Sequence, residues 1–132
     1  MSRTVEQKRA AFALDFVTAF QGSKAELATH IQKTPIRILQ NGLGQALAFL
    51  LANNEGKTGS KRKSSGTLYD YLQRWLCEAG QPCRVYEGTS GDLMKQVVDG
   101  NRSQYLRAQQ EALALFTWLK KFSDAYLDKE PA

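Results

Sequence analysis

The segment from Thr34 to Leu51 carries apolar residues at steps of three and four, which is the spacing of one face of an α-helix. Thr34 is a favoured N-cap residue, and Pro35 suits the first helical position because proline lacks an N–H that would have no partner there. The sequence therefore predicts a helix from about Pro35 to Asn53 with one buried apolar stripe. The residues of this stripe are Ile36, Leu39, Leu43, Leu47 and Leu50.

Two glycines, Gly42 and Gly44, lie inside that predicted helix. Each glycine destabilises a helix interior by about 1 kcal/mol relative to alanine. Two glycines in one helix therefore indicate that the absence of a side chain has a function here. Rows of small residues at steps of four favour a close approach between two helices. The alternative is a direct contact of this backbone with a phosphate or with a partner strand.

Helical patterns occupy most of the remaining chain. A capping box at Thr4 opens the first helix, which Gly22 ends, and Ser23 opens a short second helix in the same way. The later helices are predicted at about Thr67 to Gly80, Asp92 to Asp99 and Asn101 to Leu127. One short stretch, Cys83 to Glu87, alternates like a strand but is too short to carry a sheet. The prediction is an all-α fold, a single compact bundle of about six helices over residues 1–132, with Trp75 and Trp118 in its core.

No apolar run reaches the ~18 residues that a membrane span needs, and no signal segment is recognisable at the N-terminus. We expect a cytoplasmic protein with no membrane partner. Cys77 and Cys83 do not form a C-x-x-C pair, which favours two reduced thiols without a structural role in metal binding.

The chain offers few groups for catalysis. His30 is the only histidine, and no neighbouring acid is placed in sequence to orient it. The acidic residues fall on different predicted helices and turns, without the clustering that a metal-dependent nuclease needs. We therefore expect no catalytic residues, no metal site and no cofactor, with a small ribonuclease as a rival hypothesis.

Positive charge is concentrated in the middle of the chain. The net charge is +5, and residues 27–69 carry six Lys or Arg side chains against one acid, Glu55. Such a one-sided charge attracts polyanions, although it is also compatible with a solubilising surface. The basic segment at about 54–66 is expected to be a flexible loop, and its lack of aromatic residues predicts contact with the phosphate backbone of a nucleic acid rather than with bases. The candidate phosphate contacts are Lys33, Arg37, Lys57, Lys61, Arg62 and Lys63, with Asn41 as a polar donor and Lys8 and Arg9 as flanking charges.

The segment from Gly42 to Phe49, with the sequence GLGQALAF, resembles a signature of the small-subunit family of CRISPR type III-B effector complexes, the Cmr or RAMP-module complexes. The resemblance extends from about Thr4 to Tyr126. Further agreeing blocks lie at Lys8 to Ala13, Leu68 to Leu76, Tyr105 to Arg107, Glu111 to Leu115 and Trp118 to Phe122.

The resemblance implies a non-catalytic subunit that works in antiviral defence. Copies of such a subunit stack along the complex beside the Cmr backbone (RAMP) subunits that carry the guide RNA and together with the large subunit. They line the groove where target RNA lies, and other proteins cleave it. A type III-A small subunit and a DNA-binding transcriptional regulator are the alternatives, although the chain lacks a clear recognition helix for the latter.

Overall fold

The computed structural model describes residues 3–53, 63–87 and 92–127, and these form six α-helices. The helices are α1 Val5–Ala19, α2 Lys24–Asn41, α3 Leu43–Asn53, α4 Ser64–Cys77, α5 Leu93–Asp99 and α6 Arg102–Tyr126. The prediction of an all-α fold with about six helices is confirmed. Within the described residues no strand forms, and the 83–87 segment is held instead by the N–H groups of Val85 and Tyr86, which donate to the Leu76 carbonyl at 2.8 and 3.1 Å.

Four predicted helix starts are confirmed, and each has a side-chain cap, at Thr4, Ser23, Asp92 and Asn101. The Thr4 hydroxyl accepts from the Gln7 N–H at 3.0 Å, and the Gln7 side chain accepts from the Thr4 N–H at 2.7 Å. Asn101 and Gln104 form the same reciprocal pair at the start of α6. These local signals work because the bonds lie within one helical turn.

The predicted helix start at Pro35 is wrong, because α2 runs through this proline from Lys24 to Asn41. The Thr34 hydroxyl donates to the His30 carbonyl at 2.6 Å, so it does not cap a new helix. A proline inside a helix costs about 3 kcal/mol. The continuous buried face of α2 offsets this cost. That face consists of Leu27, Ile31, Thr34 and Ile38.

The predicted continuous helix through both glycines is also wrong, since the chain breaks at Gly42. This residue has φ +88° and ψ 164°, a conformation that is essentially restricted to glycine, and its N–H closes α2 by donating to Ile38. The first two N–H groups of α3 then find partners on α6. Leu43 donates to the Gln109 side-chain oxygen at 2.9 Å, and Gly44 donates to the Tyr105 hydroxyl at 3.0 Å. The backbone at the start of α3 therefore makes contacts within the protein.

The basic loop was expected to extend to Gly66, but α4 already begins at Ser64, and residues 64–66 are buried. The Ser64 hydroxyl donates to the Ser23 carbonyl at 3.3 Å, which ties the start of α4 to the start of α2. Residues 54–62, which hold most of the basic segment, lie outside the described residues.

All six helices contribute to one cluster of buried apolar residues. The long helix α6 packs against α1 and α2, and α4 packs against α2 and α3. Part of the predicted stripe does not join this core. Ile36 is 52% exposed and Leu39 is 72% exposed, because α2 turns its other face inward. Val5 and Tyr126, at helix ends, are likewise exposed.

The two tryptophans differ, and the core prediction is confirmed for Trp75 only. Trp75 is 1% exposed, whereas Trp118 is partly exposed and stacks on Phe122 at 5.7 Å between ring centroids. We expect Trp75→Ala to lower the free energy of unfolding by about 3 to 5 kcal/mol, since it leaves a large cavity. Trp118→Ala is expected to cost less than half as much. Urea unfolding of both variants measures the difference, and equal losses would contradict this packing.

No helix in the described part of the chain combines the length and the hydropathy required to cross a membrane.

Candidate nucleic-acid interface

The exposed side of α2 brings three of the predicted site residues together. Lys33, Arg37 and Asn41 follow one another at steps of four, so they share one face of the helix. Lys33 and Asn41 are exposed and Arg37 is half-buried. The two cations and the amide therefore form a polar row about 12 Å long at a rise of about 1.5 Å per residue. We call these three residues the α2 row.

Arg37 is the member of the α2 row that packs on a neighbouring helix. Its guanidinium carbon lies 3.7 Å from the centre of the Phe49 ring on α3, a cation–π contact that fixes the side chain. One terminal amine of Arg37 is buried and finds no hydrogen-bond partner among the described residues. A side chain held in this way has little further entropy to lose when its charge meets an anion.

The two described residues that border the basic segment lie next to this row. Asn53, the last residue before residues 54–62, and Lys63, the first after them, line the same cavity of about 330 Å³ as His30 and Glu26. His30 lies on α2 one turn before Lys33 and Thr34. The two ends of the basic segment are thus anchored beside the start of the α2 row. The predicted contacts Lys57, Lys61 and Arg62 lie outside the described residues.

His30 has a structural partner in this cavity. Its Nε2 lies 3.1 Å from the side-chain nitrogen of Asn53, which links α2 to the end of α3. Burial and the neighbouring Arg37 guanidinium lower the pKa of His30 below its usual value, and Lys33 acts in the same direction. The ring is therefore neutral at pH 7, and the positive charge of this surface comes from lysine and arginine.

The predicted flanking cations Lys8 and Arg9 lie on α1, and Arg9 is bound by the protein's own acids. Its Nε and one terminal amine donate to the two carboxylate oxygens of Glu111 at 2.6 and 2.7 Å, and the other terminal amine donates to Glu6 at 2.5 Å. Glu111 also accepts from the Trp75 indole N–H at 2.9 Å. Arg9 is therefore a structural residue that joins α1, α4 and α6, and each of its three guanidinium nitrogens already donates to a group of the protein.

Sequence reasoning missed this network because its members are far apart in the chain. The available signal was Glu111 itself, an acid that directly precedes the apolar run 112–116 in the last predicted helix. An acid at such a position needs a cationic partner when it is buried. The sequence does not show which of the many arginines supplies it.

A cavity of about 580 Å³ lies between α1 and α4 and does not adjoin the α2 row. Four of its lining residues are aromatic, and Phe12 and Phe16 stack on Tyr71, with ring centroids 4.4 and 4.1 Å from that of Tyr71. Asp15 and Arg74 also line it. Such walls favour apolar packing over acid–base chemistry.

Other groups that carry chemistry are not gathered into a site. Within residues 3–53, 63–87 and 92–127, no three His, Cys, Asp or Glu side chains are placed to hold a metal ion. Burial raises the pKa of Cys77 to about 11 and also raises that of Cys83. Both thiols are therefore protonated at pH 7, and a protonated thiol is a weak nucleophile.

Comparisons with known proteins agree with this fold. The model of the family described as CRISPR-associated protein (Cas_Cmr5) matches residues 5–126. The structure is also similar to the X-ray crystal structure of a CRISPR-associated Cmr5 family protein from Thermus thermophilus, with a TM-score of 0.69 and 28% sequence identity. That match covers 96% of this chain and 100% of the other. The chain therefore belongs to the Cmr5 family, the type III-B small-subunit family that its sequence resembles.

Proposed function

We propose that this type III-B small subunit binds the phosphate backbone of RNA without sequence preference and takes no part in cleavage. The observation that carries the proposal is the α2 row, in which the positively charged Arg37 side chain is fixed on Phe49. Lys33 and Asn41 extend this row along the same face of α2. Arginine and lysine side chains that meet phosphates supply affinity and position but read no sequence.

The basic segment supplies the rest of the proposed surface. Lys63 lines the cavity beside His30, and Lys57, Lys61 and Arg62 belong to the same stretch of sequence. We assign these four side chains to further phosphate contacts that act together with the α2 row. Lys8 remains a weaker flanking charge, and Arg9 is left out because Glu111 and Glu6 occupy its donors.

In the complex, copies of the subunit stack next to one another beside the Cmr backbone subunits and the large subunit. The α2 row of each copy faces the groove that holds guide RNA and target RNA, and this assembly operates in the cytoplasm. Cleavage of the target belongs to other subunits. Incubating the purified protein with labelled RNA and Mg²⁺ or Mn²⁺ separates this function from that of a small ribonuclease.

Removing the two cations of the α2 row is expected to weaken binding to single-stranded RNA of any sequence. In Lys33→Gln with Arg37→Gln, the glutamine at position 37 keeps part of the stem over Phe49, so the loss reports charge. The slope of log K against log salt should flatten by about 0.7 for each lost contact. Fluorescence anisotropy at several salt concentrations measures both quantities.

The matched control is Lys120→Gln with Lys121→Gln, which removes the same charge from two exposed positions on α6. A second comparison replaces Lys57, Lys61, Arg62 and Lys63 with alanine. Per residue, Lys33 and Arg37 should matter at least as much, because they stand on a formed helix and lose less entropy on binding. An equal effect of the α2 pair and the α6 pair would mean that only net charge matters, and the proposed surface would be wrong.

A further inference from the structure

A second cationic feature lies on another side of the molecule, where α1, the segment before α5 and α6 meet. It is a depression of about 370 Å³, and its polar walls include Arg9, Cys83, Arg84, Arg107 and Glu111. We call it the arginine pocket. Three guanidinium groups face one carboxylate there, so the pocket carries an excess of positive charge.

The single carboxylate does not neutralise all three arginines. Glu111 binds Arg9 through both oxygens and accepts from the Trp75 indole N–H, so its hydrogen-bonding capacity is directed away from Arg84 and Arg107. Burial acts to raise the pKa of Glu111, but the hydrogen bonds from Arg9 and Trp75 outweigh it and keep this pKa below the usual value. In the part of the chain that the structure describes, neither Arg84 nor Arg107 forms an ion pair.

Arg84 is held in place by the backbone. Its Nε donates to the carbonyl oxygens of Cys77 at 2.8 Å and Tyr86 at 3.2 Å. These bonds fix the plane of the guanidinium and leave its two terminal amines without a hydrogen-bond partner among the described residues. A planar pair of donors held in this way matches two oxygens of a phosphate group.

Arg107 stands opposite on α6, one turn before Glu111. An ion pair at this i, i+4 spacing is normally available on a helix. Here Glu111 forms its ion pair with Arg9 instead, and the Arg107 side chain remains exposed. The pocket therefore combines the fixed guanidinium of Arg84 with the exposed guanidinium of Arg107.

The arginine pocket is separate from the α2 row. On α6, Tyr105 and Gln109 face the junction of α2 and α3, where they bind Gly44 and Leu43. Arg107 follows Tyr105 by two residues, which is about 200° around a helix of 3.6 residues per turn. The two cationic surfaces therefore lie on different sides of α6.

We propose that the arginine pocket binds a phosphate group of RNA through Arg84 and Arg107, as a second backbone contact of this subunit. The inference rests on the proposed RNA-binding function, to which it adds a site. The shared chemistry is a phosphate oxyanion, which either an RNA backbone or free inorganic phosphate presents. The RNA backbone is favoured because several weak contacts on one polyanion add to its affinity.

The test compares Arg107→Gln with Arg102→Gln, an exposed arginine on the same helix that does not line the pocket. Both variants remove one charge from a position without a described partner, and thermal unfolding checks that each retains its fold. We expect Arg107→Gln to lower the salt slope of single-stranded RNA binding by about 0.7 and Arg102→Gln to leave it unchanged. Equal slopes for the two variants would overturn the proposal.

A second readout uses the NMR signal of the Arg84 Nε–H group in the wild-type protein at constant ionic strength. We expect this signal to shift on titration with a short single-stranded RNA at concentrations where inorganic phosphate has little effect. A shift with inorganic phosphate alone would identify a free-anion site and overturn the RNA contact. A larger shift with an acidic peptide than with RNA would identify a protein-docking site, and no shift with any probe would exclude a binding pocket.

These outcomes are distinct from a failure of the proposed function. If Lys33→Gln with Arg37→Gln weakens RNA binding while Arg107→Gln does not, only the arginine pocket is wrong. If the wild-type protein binds no RNA, the proposed function fails. The phosphate and peptide titrations then still decide what the pocket binds.

Discussion

Replacing Glu111 with alanine is expected to lower the free energy of unfolding by about 3 kcal/mol. The change leaves the Arg9 guanidinium without its main partner and leaves the Trp75 indole N–H without an acceptor in the core. Breaking a buried ion pair in this way typically costs about 3 to 5 kcal/mol. We expect the lower end because Arg9 also binds the exposed Glu6 and keeps some contact with water.

The matched control is Glu6→Ala, which removes the other carboxylate that binds Arg9. Glu6 is 61% exposed, and surface ion pairs contribute about 0 to 1 kcal/mol, so this variant should stay close to wild type. Urea unfolding at pH 7 measures both variants. Similar losses for Glu6→Ala and Glu111→Ala would show that Glu111 is not the centre of the network.

The same network makes a pH-dependent contribution to stability. The pKa of Glu111 lies below its usual value of 4.5 in the folded protein, so folding favours the ionised carboxylate. Its stabilisation is complete above the unfolded pKa and is lost as the pH falls through the lower folded pKa. Glu111→Gln should therefore be less stable than wild type at pH 7, with a difference that narrows on acidification below about pH 4.5.

Gly42→Ala is expected to be strongly destabilising for a different reason. At φ +88° and ψ 164° an L-residue is strained by about 1 to 3 kcal/mol, and the added Cβ would lie 2.6 Å from the Tyr105 hydroxyl. Moving Tyr105 away breaks its bond to the Gly44 N–H, which adds about 1 kcal/mol. We expect a total loss of about 2 to 4 kcal/mol in urea unfolding.

Gly44→Ala is the control for this prediction. A Cβ at Gly44 meets its nearest neighbours at 3.7 Å, which is ordinary contact, and alanine favours the helix. This variant should be neutral or slightly stabilising. Tyr105→Phe in the Gly42→Ala background should recover part of the loss by removing the clashing oxygen. If Gly42→Ala and Gly44→Ala have the same effect, the break between α2 and α3 is not as described.

The sequence predicted those parts of the fold that local interactions determine. The capping pairs at Thr4 and Asn101 lie within single turns, and both helices begin where these pairs predict. Pro35 misled the prediction because a local preference for the first helical turn was overridden by packing. The buried residues on both sides of it, from Leu27 to Ile38, continue one face of α2.

The break at Gly42 depends on tertiary contacts that no local pattern reveals. Gly42 supplies the backbone conformation, but Gln109 and Tyr105 cap α3 from more than 60 residues away. The exposure of Leu39 has a related cause, because the break at Gly42 gives α2 and α3 separate buried faces. A single apolar stripe predicted across both helices therefore could not show that Leu39 is exposed.

For the candidate site, the sequence named Lys33, Arg37 and Asn41 as contacts, but the helix predicted to begin at Pro35 left Lys33 outside it. The three residues share one face because α2 continues through Pro35. The sequence did not show that Phe49 holds Arg37, since that contact joins two helices. It also grouped Arg9 with the RNA contacts, although Glu111 occupies this side chain. The charge of a side chain alone does not show whether it is available to a ligand or is already paired within the protein.

The most direct test of the central claim is the salt dependence of target-RNA binding by the effector complex reconstituted with Lys33→Gln and Arg37→Gln. We predict that the complex assembles with unchanged composition, binds every target RNA more weakly and shows a flatter salt slope than wild type. The same complex with Lys120→Gln and Lys121→Gln should match wild type. Unchanged affinity and an unchanged slope in the α2 variant would contradict the claim that this subunit contacts RNA through the α2 row.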